Sequence, residues 1–258
     1  MKVIILAGGY GSRLEGITEI IPKPMVPIGE MPILWHIMKI YSHYGFDDFL
    51  VALGYKGSVI KDFFYRYAMI SKDFTIDLST KDIEFHDGGM ADDWRVTLVD
   101  TGLDTKKGGR IKRLAKYLRS DVNMLTYGDG LADINPADVL EFHKSHNKIL
   151  TVTGVYPPSL FGEIVDDGSR VVSFVEKPQT SSGLINGGFM VFDRRMLDYL
   201  EDDEECDFES GALEKLAREG QVMVYKHTGS WVCMDSKRDL EYLNRLWKAK
   251  QAFWKVWG

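Results

Sequence analysis

Short apolar runs alternate with longer amphipathic segments in the first half of the chain. Three runs have the length and composition of strands buried on both faces: residues 3–6, 49–53 and 122–126. Residues 32–44 have the pattern of a helix, with a proline in the first turn and Gly45 after its end. Ser58 is placed to cap a further helix with apolar residues at helical spacing. The alternation predicts an α/β fold in which helices flank a Rossmann-like, mostly parallel sheet.

The second half of the chain has a more mixed pattern. Residues 162–165 and 171–176 have the pattern of two hairpin arms around a turn at 166–168. Residues 185–192 are expected to form a strand, and residues 236–247 a helix. No repeat or linker interrupts the sequence, so we predict one domain whose second half carries a β-rich extension.

A glycine-rich turn follows the first apolar run directly. Gly8, Gly9 and Gly11 allow a tight reversal and a close approach of the backbone to a ligand, and consecutive N–H groups in such a turn form an anion site. Arg13 follows the turn, and Lys23 lies between two prolines. The dinucleotide and P-loop fingerprints do not fit, because they require glycine at position 14 and lysine at position 17. We therefore predict another type of phosphate loop, suited to a triphosphate.

Charge and cysteine content exclude several classes of protein. The 258 residues include 32 basic and 38 acidic side chains, for a net charge of −6, which argues against a surface for nucleic acid or membrane. Two cysteines are too few for a disulfide framework, so a reducing compartment is the simplest expectation. No apolar run approaches the roughly 18 residues of a membrane span. We expect a cytoplasmic protein that binds neither nucleic acid nor membrane.

Two aspartates are candidate metal ligands. Asp129 lies between glycines after a predicted strand, and Asp235 precedes the last predicted helix. Mg²⁺ prefers oxygen ligands and needs only one or two carboxylates beside substrate phosphates. Each aspartate also has a plainer explanation, since Asp129 could belong to a simple turn and Asp235 could cap the helix. Lys23 could likewise be an ordinary solvated loop lysine.

Several motifs bear a resemblance to one enzyme family. LAGGYGSRL at residues 6–14 and PKPM at 22–25 resemble the signature of the sugar-phosphate nucleotidyltransferases. Further motifs follow in order along nearly the whole chain: PILWHIM at 32–38, GYKG at 54–57, VTLVDTG at 96–102, GGR at 108–110, YGDG at 127–130, EKP at 176–178, INGGF at 185–189 and MD at 234–235. Together they are similar to the cytidylyltransferase branch of that family.

The resemblance implies a reaction, a cofactor and two halves of one domain. CTP and α-D-glucose 1-phosphate would give CDP-glucose and pyrophosphate. Residues 1–258 would form a single domain, with a nucleotide-binding half at about 1–130 and a sugar-phosphate-binding half at about 131–258. Mg²⁺ would be held by Asp129 and Asp235. The residues expected to act in catalysis are Arg13, Lys23 and Asp129.

The resemblance also assigns binding residues. Those expected to bind the nucleotide are Leu6, Ala7, Gly8, Gly9, Tyr10, Gly11, Ser12, Arg13, Lys23, Thr105, Gly109, Arg110 and Gly128. Those expected to bind the sugar phosphate are Tyr127, Glu176, Lys177, Asn186, Gly187 and Gly188.

Three alternatives stay open beside this assignment. The enzyme could use another sugar phosphate, or UTP or dTTP in place of CTP. The chain could be a non-catalytic sensor of nucleotide sugars, although a sensor has no need of the aspartate pair. An NAD-dependent oxidoreductase is disfavoured by Leu14. Aromatic residues at the C-terminus favour a subunit contact, so we predict a homo-oligomer: Trp247, Phe253, Trp254 and Trp257.

Overall fold

The computed structural model of the protein describes residues 1–12, 14, 16–86, 92–157, 163–175 and 183–258, with the backbone alone for 163–166 and 174–175. The strands are β1 (Val3–Ala7), β2 (Pro27–Ile28), β3 (Met31–Pro32), β4 (Asp48–Leu53), β5 (Phe74–Ile76), β6 (Ile83–Phe85), β7 (Arg95–Asp100), β8 (Val122–Tyr127), β9 (Gly130–Ala132), β10 (Leu150–Val155), β11 (Glu163–Asp167), β12 (Arg170–Val175), β13 (Ile185–Asn186), β14 (Met190–Asp193), β15 (Val222–His227) and β16 (Trp231–Cys233).

The helices lie mainly between the strands of the first half and at the end of the chain. They are α1 (Ile33–His43), α2 (Gly57–Tyr65), α3 (Tyr67–Ser71), α4 (Lys107–Leu114), α5 (Pro136–Lys144), α6 (Glu214–Arg218) and α7 (Lys237–Lys248). Short 3₁₀ helices cover Lys23–Met25, Ala115–Tyr117 and Arg194–Tyr199, and Phe208–Leu213 forms a π-helical turn.

Strand β1 shows why the short apolar runs form the centre of the sheet. All five of its residues are buried, because successive side chains point to opposite faces and both faces are covered. Ile5 packs in one core with α1 and the C-terminal segment, whereas Ile4 packs in a second core with α4 and α6. A strand buried on both sides has no polar face, so its sequence is a continuous apolar run.

The central sheet has eight strands and is mostly parallel where the glycine-rich turn leaves it. The order is β13-β10-β14-β8-β1-β4-β7, and β15 also pairs with β10. β8, β1, β4 and β7 are parallel, whereas β14 runs antiparallel to β8. The carboxyl ends of four neighbouring strands therefore lie at one edge, where ligands collect in such sheets. The predicted α/β fold with a parallel-rich sheet flanked by helices is confirmed.

Two local predictions are wrong, each for a reason of backbone geometry. The helix expected to be capped by Ser58 begins at Gly57, because Lys56 reverses the chain one residue earlier with φ 49°. The strand expected over 185–192 is interrupted between β13 and β14, where Gly188 and Phe189 have φ values of 79° and 45°. This interruption changes the register of pairing with β10 between β13 and β14.

The C-terminal aromatic residues pack inside their own chain. Trp254 and Trp257 are buried in the core beside α1, where Trp257 meets the Trp35 ring edge-on at 5.7 Å. Trp247 contacts the ring of His36 at 4.7 Å. Trp247 and Phe253 stay partly exposed, so the subunit contact expected of the C-terminal aromatics stays a prediction, and Trp254 and Trp257 contribute to the core of their own chain. None of the helices in the described parts of the chain is both long and apolar enough to span a membrane.

Candidate active site

The glycine-rich turn lies at the carboxyl end of β1, beside the end of β8. Position 128 requires glycine, because a Cβ there would lie 2.8 Å from the Leu6 carbonyl of the adjacent strand. Gly11 has φ +66°, and a Cβ there would lie 2.9 Å from the Cβ of Lys23. The turn thus packs closely on the segment that carries Lys23. Together they border a pocket of about 280 Å³.

The pocket collects residues from distant motifs. It is lined by Leu6, Ala7, Gly8, Gly9, Gly11, Ser12, Lys23, Pro24, Lys107, Arg110, Tyr127, Gly128, Asp129 and Asp235. Twelve of these belong to the predicted set, and Pro24 and Lys107 do not. Most of the predicted nucleotide residues therefore share one cavity with the predicted metal ligands.

Arg110 ties the loops at the carboxyl ends of three strands together. The two terminal nitrogens of its guanidinium donate at 2.7 to 3.1 Å to the carbonyls of Leu53, Gly8, Gly102 and Leu103 and to the hydroxyl of Thr101, with Nη1 shared among three of these acceptors. Burial, followed by the charge of Arg113, lowers the pKa of Arg110. The four N–H groups of the two terminal nitrogens lie in one plane and suit such a cluster of acceptors. Arg110 therefore holds the backbone of the phosphate loop in place. Its role in binding a nucleotide stays a prediction.

Lys23 joins the two predicted metal ligands. Its ammonium lies 2.6 Å from a carboxylate oxygen of Asp129 and 2.6 Å from one of Asp235. Burial is the largest single effect and would lower the pKa of Lys23, but the charge of Asp129, the neighbouring Cys233 and the hydrogen bonds to both aspartates together outweigh it, so the pKa is raised. Lys23 is only 9% exposed, which excludes the alternative of a solvated loop lysine.

A short antiparallel sheet of two strands brings Asp129 and Asp235 together, although more than one hundred residues separate them in the chain. β9 follows Asp129 and pairs with β16, which precedes Asp235, and Met234 N–H donates to the Asp129 carbonyl at 2.9 Å. Asp235 is not the cap of the last helix. Ser236 caps α7 and forms a capping box with Asp239, which leaves the Asp235 carboxylate directed to the pocket.

The donor set beside the phosphate loop fits a hard divalent cation. Oxygen atoms of Asp129 and Asp235 and the Cys233 sulfur lie within 4.8 Å of one another. Burial raises the pKa of the Cys233 thiol, so the thiol stays protonated. Mg²⁺ prefers carboxylate oxygen and water. The two carboxylates are therefore the residues that could hold the ion, as the sequence predicts.

A second group of polar side chains borders the pocket on the β8 side. Tyr127 O–H donates to Glu209 at 2.7 Å and accepts from the Asn186 amide at 2.9 Å. Lys107 forms an ion pair with Glu209, and its ammonium lies 5.2 Å from the centre of the Tyr127 ring. Gly188 lies against this ring, where a Cβ would be 3.2 Å away. The structure thus brings together three of the residues predicted for the sugar phosphate.

Three predicted nucleotide residues, and the predicted sugar residues Asn186, Gly187 and Gly188, are not among the residues that line the pocket. Tyr10 is 47% exposed and its hydroxyl donates to Asp104. The Thr105 hydroxyl is buried and accepts from Arg113. Gly109 lies within α4 and packs against the backbone carbonyl of Asp203. The Gly187 carbonyl accepts from the indole of Trp231 at 2.8 Å. Arg13, Glu176 and Lys177 lie outside the described residues, so their roles stay predictions.

Comparisons with known proteins agree with this geometry. Residues 2–253 match the profile of the family described as nucleotidyl transferase. The chain belongs to the nucleotidyl transferase family. It is 44% identical over 258 residues to the glucose-1-phosphate cytidylyltransferase of Salmonella typhi, covering all of both chains. It is 41% identical over 257 residues to the probable glucose-1-phosphate cytidylyltransferase of Bacillus subtilis, again covering both chains fully.

A solved structure supports the fold of this nucleotidyl transferase. A putative glucose-1-phosphate thymidylyltransferase from Bacillus anthracis superposes with a TM-score of 0.70, covering 100% of this chain and 97% of the other, at 19% identity. At that identity the likeness concerns the fold alone. The family match confirms the expected enzyme class.

Two polar residues of the nucleotidyl transferase site were missed from sequence. Lys107 directly precedes the Gly108-Gly109-Arg110 motif, which was a usable signal. Glu209 follows a long acidic stretch and looks like one more surface carboxylate. Its place beside Tyr127 depends on the packing of residues 203–209 against α4, which no local pattern reveals.

Proposed function

We propose that this nucleotidyl transferase moves the cytidylyl group of CTP to α-D-glucose 1-phosphate, giving CDP-glucose and pyrophosphate. The observation that supports the reaction class is the pair of aspartates, Asp129 and Asp235, joined by Lys23 beside the phosphate loop. The choice of substrates rests on full-length relatives at 44% and 41% identity that bear the name glucose-1-phosphate cytidylyltransferase. A non-catalytic sensor is not favoured, because it has no use for the aspartate pair.

The proposed reaction is an in-line displacement at the α-phosphorus of CTP. An oxygen of the sugar phosphate forms the new P–O bond, and the bond to the β-phosphate oxygen breaks to release pyrophosphate. The attacking phosphate is already ionised at neutral pH, so the step needs no general base. Positioning and neutralisation of charge account for the rate.

The residues of the pocket have distinct proposed tasks. The glycine-rich turn presents N–H groups to the phosphates, and Lys23 stabilises the charge that develops at the α-phosphate. Asp129 and Asp235 would hold Mg²⁺, which when bound neutralises phosphate charge. Arg13 toward the β- and γ-phosphates, and Glu176 and Lys177 toward the sugar phosphate, are proposed from the sequence resemblance alone. A cytoplasmic location and a homo-oligomer also stay proposals.

The test is pyrophosphate release over a grid of substrates. CTP, UTP, dTTP, ATP and GTP would each be combined with the 1-phosphates of glucose, galactose, mannose and N-acetylglucosamine. We expect the highest kcat/KM for CTP with glucose 1-phosphate, since a site built to pair with a polar group rejects analogues that lack it. If UTP or dTTP equals CTP, the cytidylyl assignment fails. No pyrophosphate from any combination would contradict the reaction class.

A further inference from the structure

The carboxylate of Glu209 is satisfied at one oxygen and unsatisfied at the other. Oε1 accepts from Tyr127 and pairs with Lys107. Oε2 is buried and has no hydrogen-bond partner among the residues that the structure describes. A buried acceptor without a partner costs roughly 1–3 kcal/mol, and more when it is charged. The two partners of Glu209, Tyr127 and Lys107, line the pocket, so a ligand bound there is one source of the missing donor.

The backbone around Glu209 is fixed on both sides. The Asp207 side chain accepts from the N–H and hydroxyl of Ser210 and so holds the first turn. The preceding residue, Phe208, is fully buried in the second core. On the other side, α4 approaches residues 203–207 so closely that a Cβ at Gly108 would lie 2.7 Å from the Cys206 carbonyl. The carboxylate is therefore held in place beside the pocket before any ligand enters.

Of the neighbours of Glu209 that the structure describes, Lys107 is the one that keeps spare hydrogen-bond donors. The Asn186 amide donates to Tyr127 and accepts from Gly188 N–H at 3.0 Å. The Tyr127 hydroxyl uses its proton on Glu209, and burial, followed by the charge of Glu209, raises the pKa of Tyr127. Lys107 has two further ammonium protons beyond its ion pair. A free acceptor and free donors thus lie side by side.

Position along the sheet separates a sugar from a nucleotide as the ligand of this corner. Tyr127 ends β8 and Asn186 lies on β13, whereas β4 and β7 lie on the opposite side of β1 and its phosphate loop. The CTP phosphates are proposed at that loop. A group bound at Tyr127 and Asn186 therefore lies on the acceptor side.

We propose that Glu209 and Lys107 determine specificity for the acceptor sugar, with Glu209 Oε2 accepting a hydrogen bond from a hexose hydroxyl and Lys107 donating to a neighbouring one. This proposal rests on the proposed function, whose acceptor is a hexose 1-phosphate. The Glu209 carboxylate accepts hydrogen bonds and the Lys107 ammonium donates them. Side by side, they can bind two adjacent hydroxyl groups, one as a donor and the other as an acceptor. Removal of the hydroxyl leaves the buried Oε2 acceptor without a partner again, which is a strong basis for rejecting an analogue.

The experiment compares Glu209→Gln with wild type on glucose 1-phosphate and its 2-, 3-, 4- and 6-deoxy analogues. The glutamine keeps an acceptor for Tyr127 but loses the charge. We expect kcat/KM for glucose 1-phosphate to fall roughly 10- to 100-fold, as for a lost hydrogen bond to a charged group. The same variant should lose about twofold or less on the analogue that lacks the recognised hydroxyl, while the KM for CTP stays unchanged.

Glu205, four residues before Glu209, provides a matched control. Glu205 forms an ion pair with Lys106 at 2.6 Å, and its side chain is 80% exposed. Glu205→Gln should therefore behave as wild type on every substrate. If Glu209→Gln has no turnover, calorimetry of CDP-glucose against CDP provides a second readout, because the variant should show a smaller preference for CDP-glucose over CDP than wild type does. Circular dichroism and thermal unfolding verify that each variant is folded.

Two outcomes would overturn the inference. An equal penalty on every deoxy analogue would mean that Glu209 has a purely structural role. A penalty that disappears with 2′- or 3′-deoxy-CTP instead would assign this corner to the ribose. Either result leaves the proposed function intact if wild type makes CDP-glucose. A wild-type enzyme that makes none removes the proposed function itself.

Discussion

The guanidinium of Arg110 donates to the carbonyl of Gly8 at 3.1 Å, across 102 positions of sequence. Gly8 is the first residue of the phosphate loop, and the same guanidinium holds the carbonyl of Leu53 at the end of β4. A Cβ at Gly8 would lie 2.3 Å from this guanidinium. One buried side chain therefore fixes the backbone of the loop relative to the neighbouring strand.

Arg110→Lys is expected to weaken both the fold and nucleotide binding. An ammonium has three donors on a single atom and cannot reach five acceptors. We expect the free energy of unfolding to fall by about 2–4 kcal/mol, because the carbonyls of Gly102 and Leu103 lose the Arg110 donor and those of Gly8 and Leu53 keep only their bonds to Tyr55 and Thr101. Urea unfolding and the KM for CTP measure the two effects. Arg195→Lys, at an exposed pair with Asp193, is the control and should change stability by less than about 0.5 kcal/mol. An Arg110→Lys variant as stable as wild type would contradict the assigned task.

Asp129→Asn and Asp235→Asn are each expected to lower kcat by about 100-fold, the scale of a lost electrostatic stabiliser. Each amide should also raise the Mg²⁺ concentration needed for half-maximal activity, since a neutral ligand binds the ion more weakly. Direct titration with Mn²⁺, followed by its electron paramagnetic resonance signal, measures the same change without turnover. Asp48→Asn removes a salt bridge to Lys2 at the amino end of β4 and should keep normal metal affinity. Full activity of both site variants in excess EDTA would remove the metal from the mechanism.

Gly109→Ala tests whether the second glycine of α4 serves packing. A Cβ there would lie 2.2 Å from the backbone carbonyl of Asp203, so the helix must move away from the segment before Glu209. We expect a loss of stability of about 1–3 kcal/mol, as for an overpacked core, and a higher KM for glucose 1-phosphate. Gly211→Ala is the control, because nothing lies within 4 Å of its added Cβ. Equal thermal unfolding of the two variants would show that the close approach is not required.

His36 makes the fold sensitive to acid. Its Nε2 donates to the Ile28 carbonyl at 2.9 Å and its Nδ1 accepts from Trp254 at 3.3 Å, which requires the neutral ring. Burial lowers the pKa of His36 from 6.5 to about 4. Because the unfolded chain takes up the proton first, this contribution to stability is complete above pH 6.5 and is lost as the pH falls toward 4. The loss amounts to roughly 3 kcal/mol.

The measurement is the free energy of unfolding by urea between pH 7 and pH 4.5. His36→Gln should be less stable than wild type at pH 7, because its partners are disturbed, yet its stability should fall less steeply with acid. A variant that keeps the wild-type slope would show that other groups cause the acid sensitivity.

The local sequence was sufficient for the elements whose environment is uniform. Buried parallel strands such as β1 require apolar side chains on both faces, so the run at residues 3–6 predicts the strand to within one residue. Helix α1 begins after Pro32 as expected, and α7 begins after Ser236. The failures fall where one residue has an unusual backbone conformation. Lys56 and Phe189 both have positive φ, which is uncommon for residues other than glycine and is not marked in the sequence.

The site was predictable as a set of residues but not as an arrangement. Motifs in the sequence identify Gly8, Lys23, Asp129 and Asp235, because phosphate and metal chemistry needs specific residue types. They could not give the ammonium between the two carboxylates, since that contact depends on the pairing of β9 with β16. The same limit hid the burial of the C-terminal aromatics.

By itself, the sequence determined the α/β fold, the phosphate loop at the end of β1 and the residue types that carry the chemistry. These follow from local rules, in which strands buried on both faces are apolar and tight turns need glycine. Only the tertiary structure decided that Arg110 binds the backbone of the phosphate loop, that Trp254 donates to His36, and that Glu209 contacts Tyr127 and Lys107 with one buried oxygen left unsatisfied by the described residues. Those relationships join residues far apart in the chain, and packing and the hydrogen-bond requirements of buried groups select them only once the sheet has formed.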